Sequence, residues 1–125
     1  MRLLLVLAIL GGMQKVAADE FTIAADYTRE VPFTVAQKAR LSGDYSTEPK
    51  TDVQIYLVSE STYEWWSKSD RPLGYWLYST GVAPSGKVDV LLDPGKYYLL
   101  FVNPSKSAVT MKANLSIAGE RLRIH

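Results

Sequence analysis

The chain has 125 residues, 47% of them apolar, with 14 Lys and Arg against 13 Asp and Glu, one His and no Cys. This length suits one ordinary domain, and a net charge of +1 provides no field to hold a nucleic-acid backbone or an anionic membrane. Without cysteine there is no disulfide, no thiolate nucleophile and no thiolate metal site, so the core alone must hold the fold.

Residues 1–18 read as a secretory signal. Arg2 opens with positive charge, Leu3 to Leu10 is an unbroken apolar run, Gly11-Gly12 ends it, and Val16-Ala17-Ala18 offers small residues for cleavage. The run is about half of what a bilayer crossing needs, so no stable membrane insertion is expected. Position 19 is Asp and not the cysteine of a lipid-anchored junction. The expected mature protein is a single domain, residues 19–125, secreted or periplasmic.

From there the apolar residues recur at every second position. Thr22 to Tyr27 reads as an edge strand, and Val31, Phe33 and Val35 alternate with Pro32 and Thr34, where a proline lacking its donor suits an edge or a strand start. Ala39, Leu41, Gly43 and Tyr45 take one parity against Arg40, Ser42, Asp44 and Ser46; Val53, Ile55 and Leu57 do so against Gln54, Tyr56 and Val58. Glu60 to Lys68 breaks the pattern. Ser61 ahead of Glu64 makes a capping pair there, predicting a short helical turn near residues 60–68 between two strands. Val88, Val90 and Leu92 restore the alternation. Tyr97 to Val102 is apolar on both parities, as in a central strand covered on both faces or one whose outer aromatics meet a partner. Val109, Met111, Ala113, Leu115 and Ile117 close the series. Turn signals at residues 47–50, 83–86, 93–95, 103–105 and 118–119 separate these runs. Short strands with polar turns predict an all-β, antiparallel Greek-key or jelly-roll β-sandwich of about eight strands.

The most specific local motif is Leu92-Asp93-Pro94-Gly95-Lys96-Tyr97. Pro94 presets one backbone angle, Gly95 is expected to accept a positive φ, and the Tyr97 hydroxyl can reach back to the turn. Leu92, Pro94, Gly95 and Tyr97 therefore resemble a tyrosine corner, a structural device that pins a crossover between sheets. Together with Asp52-Val53-Gln54-Ile55-Tyr56-Leu57, the aromatic stretch Tyr63-Glu64-Trp65-Trp66, and the continuation Tyr98-Leu99-Leu100-Phe101-Val102-Asn103, it resembles secreted bacterial jelly-roll modules of the pre-peptidase C-terminal domain kind. More distantly the chain is similar to GOLD domains. The likeness covers roughly residues 31–117 through loose motifs that are chiefly fold determinants. It implies a non-catalytic β-sandwich, often accessory to a larger secreted enzyme, with no active-site residues to carry over.

Candidate chemistry is sparse. His125 is the sole histidine and the last residue, a poor seat for a triad base that must be held rigidly. Asp44, Glu48 and Asp52 flank one turn, and Asp89 and Asp93 another. Paired carboxylates can hydrolyse glycosides or collect calcium, but acids beside turns more commonly cap or face solvent, and no metal or other cofactor is assigned. Asn114-Leu115-Ser116 has the N-glycosylation form, relevant only in a eukaryotic secretory pathway.

The densest feature is aromatic. Tyr63, Trp65, Trp66, Tyr75, Trp76 and Tyr78 surround a polar loop carrying Lys68, Asp70 and Arg71, and all three tryptophans lie there. These rings either cap one end of the sandwich or, if exposed, form a platform for a protein or glycan partner, with flat aromatics supplying area and the charged loop fixing orientation. The loop is not basic enough for nucleic acid. A non-enzymatic accessory or binding module is the preferred reading. Its alternatives are a small secreted hydrolase using surface carboxylates and a structural subunit assembling through strand edges. Oligomeric state is not legible.

Overall fold

A computed structural model describes residues 19–124. The signal expected over residues 1–18, and His125, lie outside the described residues. Within them the order is β1 (Asp19–Ile23), β2 (Tyr27–Val35), β3 (Ala39–Glu48), β4 (Gln54–Ser59), α1 (Glu60–Ser67), β5 (Tyr78–Ser79), β6 (Ser85–Leu92), β7 (Gly95–Asn103), β8 (Val109–Ile117) and β9 (Glu120–Arg121). All pairings are antiparallel. One sheet runs β9-β8-β3-β6, with β1 also on β8; the other runs β2-β7-β4-β5. The alternation read from the sequence is the geometry of a pleated strand half in water. Leu41 and Tyr45, Ile55 and Leu57, Leu99 and Phe101, and Met111 and Leu115 all turn inward into one core between the sheets.

The N-terminal segment departs from the expected strand over Thr22 to Tyr27. β1 stops at Ile23, Asp26 takes a left-handed φ of 55°, and the Tyr27 amide donates to the Ala24 carbonyl at 3.2 Å. The chain turns there because β1 belongs to one sheet and β2 to the other. β1 lies on β8 from Asp19↔Ala113 to Ile23↔Val109, and β9 lies beyond it on the same edge, Arg121↔Ser116. This two-residue β9, reached through Ala118 and Gly119 at φ of 52° and 82°, takes the strand count to nine. Pro32 sits on β2, the edge of its sheet, opposite Tyr98, where its missing donor faces no neighbour.

Two further local expectations are corrected. α1 is capped by Ser59 and not by Ser61: Ser59 ends β4 with an extended backbone, φ −75° and ψ 164°, and its Oγ accepts from the Thr62 amide at 3.3 Å. Gly95 is not among the residues of positive φ; it opens β7 opposite Val35, so the turn is completed before it. The Tyr97 hydroxyl donates to the Asp93 carbonyl at 2.7 Å, across the crossover that carries the chain from β6 in one sheet to β7 in the other. Pro94 lies exposed in that turn, and Leu92 is buried at its start.

β7, apolar on both parities, lies between β2 and β4. Its inward residues enter the core, while Leu100 on the outer face is only 1% exposed. Val58 of β4, also on that face, is 0% exposed. Neither belongs to the core between the sheets. A second small apolar layer therefore exists outside the sandwich, beneath α1.

Candidate functional site

α1 follows β4 directly and folds back over the outer face of the β2-β7-β4-β5 sheet. An eight-residue helix is marginal alone, and none of its residues is fully buried, so its place is set by the rings it lays on the sheet. Tyr63 stacks on Tyr98 of β7, centroids 3.7 Å apart and planes 8° from parallel. Trp66 leans on Tyr63 with centroids 6.1 Å apart. The Tyr63 hydroxyl donates to Glu30 Oε1 on β2 at 2.6 Å. That bond, with burial and the negative charge of Glu30, pushes the phenol up to about 12 from 10.0. Lys96 on β7 pairs with Glu60 at 3.4 Å. Tyr63 and Trp66 thus act as the underside of a cover.

Consecutive helix residues point about 100° apart, so Trp65 cannot share that underside. It is 46% exposed. The chain leaves the helix through Lys68, whose amide caps it on the Trp66 carbonyl, and returns through exposed Asp70 and Arg71. It is tied down again where the Leu77 amide donates to the Leu57 carbonyl at 2.8 Å and where Trp76 leans on Tyr56 of β4, centroids 5.0 Å apart. Between these anchors Tyr75 stands 60% exposed. A cleft of about 410 Å³ results, lined by Ser61, Thr62 and Trp65 of α1 and by Gly74 and Tyr75 of the returning loop.

The nine residues read as one aromatic region therefore separate. Trp65 and Tyr75 share the cleft. Trp76, 41% exposed, covers Tyr56 beside it. Tyr63 and Trp66 fasten the helix. Lys68, Asp70 and Arg71 rim the loop without lining the cleft. Tyr78 serves the sandwich: it packs against the core, and its hydroxyl accepts from the Asp89 amide at 3.2 Å and donates to the Lys87 carbonyl at 3.4 Å, bridging the ends of both sheets.

The candidate carboxylates lie apart from this cleft. Asp89 is bound by Arg40 at 2.7 Å, Glu48 pairs with Lys112 at 3.7 Å and Asp93 with Lys38 at 3.9 Å. Among the described residues no group of three or more His, Asp or Glu is placed to hold a metal ion. Two residues that sequence reasoning passed over organise the loops and the ends. Asn103, wholly buried, donates to the carbonyls of Ile23, Ala24 and Ser107 and accepts from the Ser105 amide and hydroxyl. Its sequence signals are the Asn-Pro-Ser turn and its place at the end of the Tyr98–Asn103 run. Asp19 accepts from Arg121 and from the Ile124 amide, a pairing between the two ends of the described residues that carries no local signal.

No protein-family model matches the chain, and no curated protein matches it. Among solved structures it is similar to the pre-peptidase C-terminal domain of a collagenase from Bacillus anthracis. The TM-score is 0.59, over 80% of this chain and 90% of that one, at 16% identity. The fold is pre-peptidase C-terminal-like. Among the described residues no helix is long and apolar enough to cross a membrane.

Proposed function

We propose that this chain is an exported, non-enzymatic accessory module that recognises a protein or glycan through the cleft between Trp65 and Tyr75. One observation carries the reading. Among the large hydrophobic side chains that the described residues leave exposed, Trp65 and Tyr75, 46% and 60% exposed, line one concave surface together. Large rings left in water cost solvation that a folded chain recovers when they meet a partner. The fold supports the accessory role, since one solved structure similar to it is a domain of a collagenase. Export rests on the signal read over residues 1–18.

The test is the tryptophan emission of the purified protein against separated glycan and protein fractions of the envelope from which it comes. We expect one fraction to shift or quench the emission, and Trp65→Ala to abolish that response while the far-ultraviolet spectrum stays unchanged. Emission that no fraction alters would overturn the recognition role.

A further inference from the structure

We infer that the occupant of the Trp65–Tyr75 cleft is a neutral saccharide unit, a reading that rests on the recognition role and narrows it. The lining is the argument. Trp65 and Tyr75 supply two ring faces, Ser61 and Thr62 supply hydroxyls, Gly74 supplies backbone, and none of the five is Asp, Glu, Lys, Arg or His. An anionic ligand would call for Lys68 or Arg71, and neither lines the cleft. A pyranose presents the complement: a weakly apolar C–H face for a ring to cover and a rim of hydroxyls that both donate and accept.

Two hydroxyl-bearing residues of α1, Ser61 and Thr62, belong to that lining. Ser59 Oγ is committed to the helix cap, accepting from the Thr62 amide and donating to Thr62 Oγ1 at 3.3 Å. Thr62 Oγ1 accepts that proton on one of its two lone pairs, and among the described residues its own proton goes to no protein acceptor. Ser61 Oγ lies 3.1 Å from the same Ser59 oxygen and one helical turn before Trp65. The volume, about 410 Å³, accommodates one or two sugar rings. It has one pair of rings, whereas a proline-rich peptide docks along a succession of aromatic grooves.

The experiment is calorimetric titration of the intact protein with N-acetylated chitotetraose, cellotetraose and maltotetraose, alongside a galacturonate tetramer and a proline decapeptide. We expect a neutral tetrasaccharide to bind, and Trp65→Ala and Tyr75→Ala each to weaken it about tenfold. Trp65→Phe should retain most of the affinity, and Trp66→Phe, beneath the helix, should leave it unchanged. Both cleft rings are half-exposed, and an unchanged circular-dichroism spectrum for each variant separates lost contact from lost fold. Binding of the peptide but of no saccharide, abolished by Trp65→Ala, overturns the saccharide and leaves recognition standing. Preference for the galacturonate tetramer overturns neutrality. Silence toward every probe overturns the inference, and only an emission unmoved by every envelope fraction removes the recognition role as well.

Discussion

At Gly43 the two central strands of the larger sheet come so close that a Cβ would lie 1.9 Å from the Asn114 carbonyl oxygen, with φ at +146°. Only glycine occupies that conformation without strain. Gly43→Ala is expected to cost on the order of 3 kcal/mol or more, because the obstructing atom is backbone and cannot rotate away; urea unfolding measures it. The alternation placed Gly43 among the inward residues, and nothing in that pattern marks a close approach. Tyr63 gives a second residue-scale expectation. Its phenol is pushed up to about 12, first by its bond to Glu30, so the folded state favours the neutral ring. That contribution is complete below the ordinary value of 10.0 and is lost as pH rises through about 12. Glu30→Gln should return the phenol toward its ordinary value, read by ultraviolet titration of phenolate.

Among the elements, β6 ends its sheet, and an edge strand is an open template for another chain. Tyr78 closes part of it, engaging the Asp89 amide and the Lys87 carbonyl. Tyr78→Phe keeps the ring in the core and releases both groups. The expected outcome is faster hydrogen exchange at the Asp89 amide, a loss of about 1 kcal/mol and earlier elution on size exclusion as concentration rises. Unchanged exchange at Asp89 would show that the hydroxyl protects nothing. Tyr78 was legible as part of an aromatic cluster, but its role is set by a strand that follows it in sequence and belongs to the opposite sheet. The existence of α1 is legible between residues 60 and 68, since β-like alternation fails there, but the pattern of Ser61 ahead of Glu64 points to the wrong cap. Ser59 wins because it is the last residue of β4 and already extended, which is the conformation a cap requires.

For the whole molecule, the ends of the described chain are latched to each other. Asp19 accepts from Arg121 and from the Ile124 amide, and Ile124 is 5% exposed against the core. Burial of the Asp19 carboxyl pushes its pKa up, but the Ile124 amide and the positive Arg121 and Arg123 outweigh it and hold the group below the usual 3.8. Its stabilisation is therefore complete above 3.8 and disappears as pH falls through the lower folded value. Asp19→Asn should be less stable than the parent at neutral pH and converge with it in acid, a difference that thermal unfolding across pH reveals. A constant gap down to the lowest pH would place the cost of that substitution elsewhere.

The sequence by itself determined the sandwich, because a period of two needs no knowledge of partners: each strand declares which face is wet and which is dry. It also determined the corner at Tyr97, whose bond to Asp93 spans four positions and is local. Tertiary structure alone decided which strands are neighbours, why Val58 and Leu100 are dry on an outward face, and which rings are covered. Trp65 and Trp66 are adjacent in sequence and equivalent in composition. One lies against Tyr63 and the other stands in water because the helix has a single underside, and where it rests is fixed by Tyr98 and Glu30, distant residues that only folding brings beneath it.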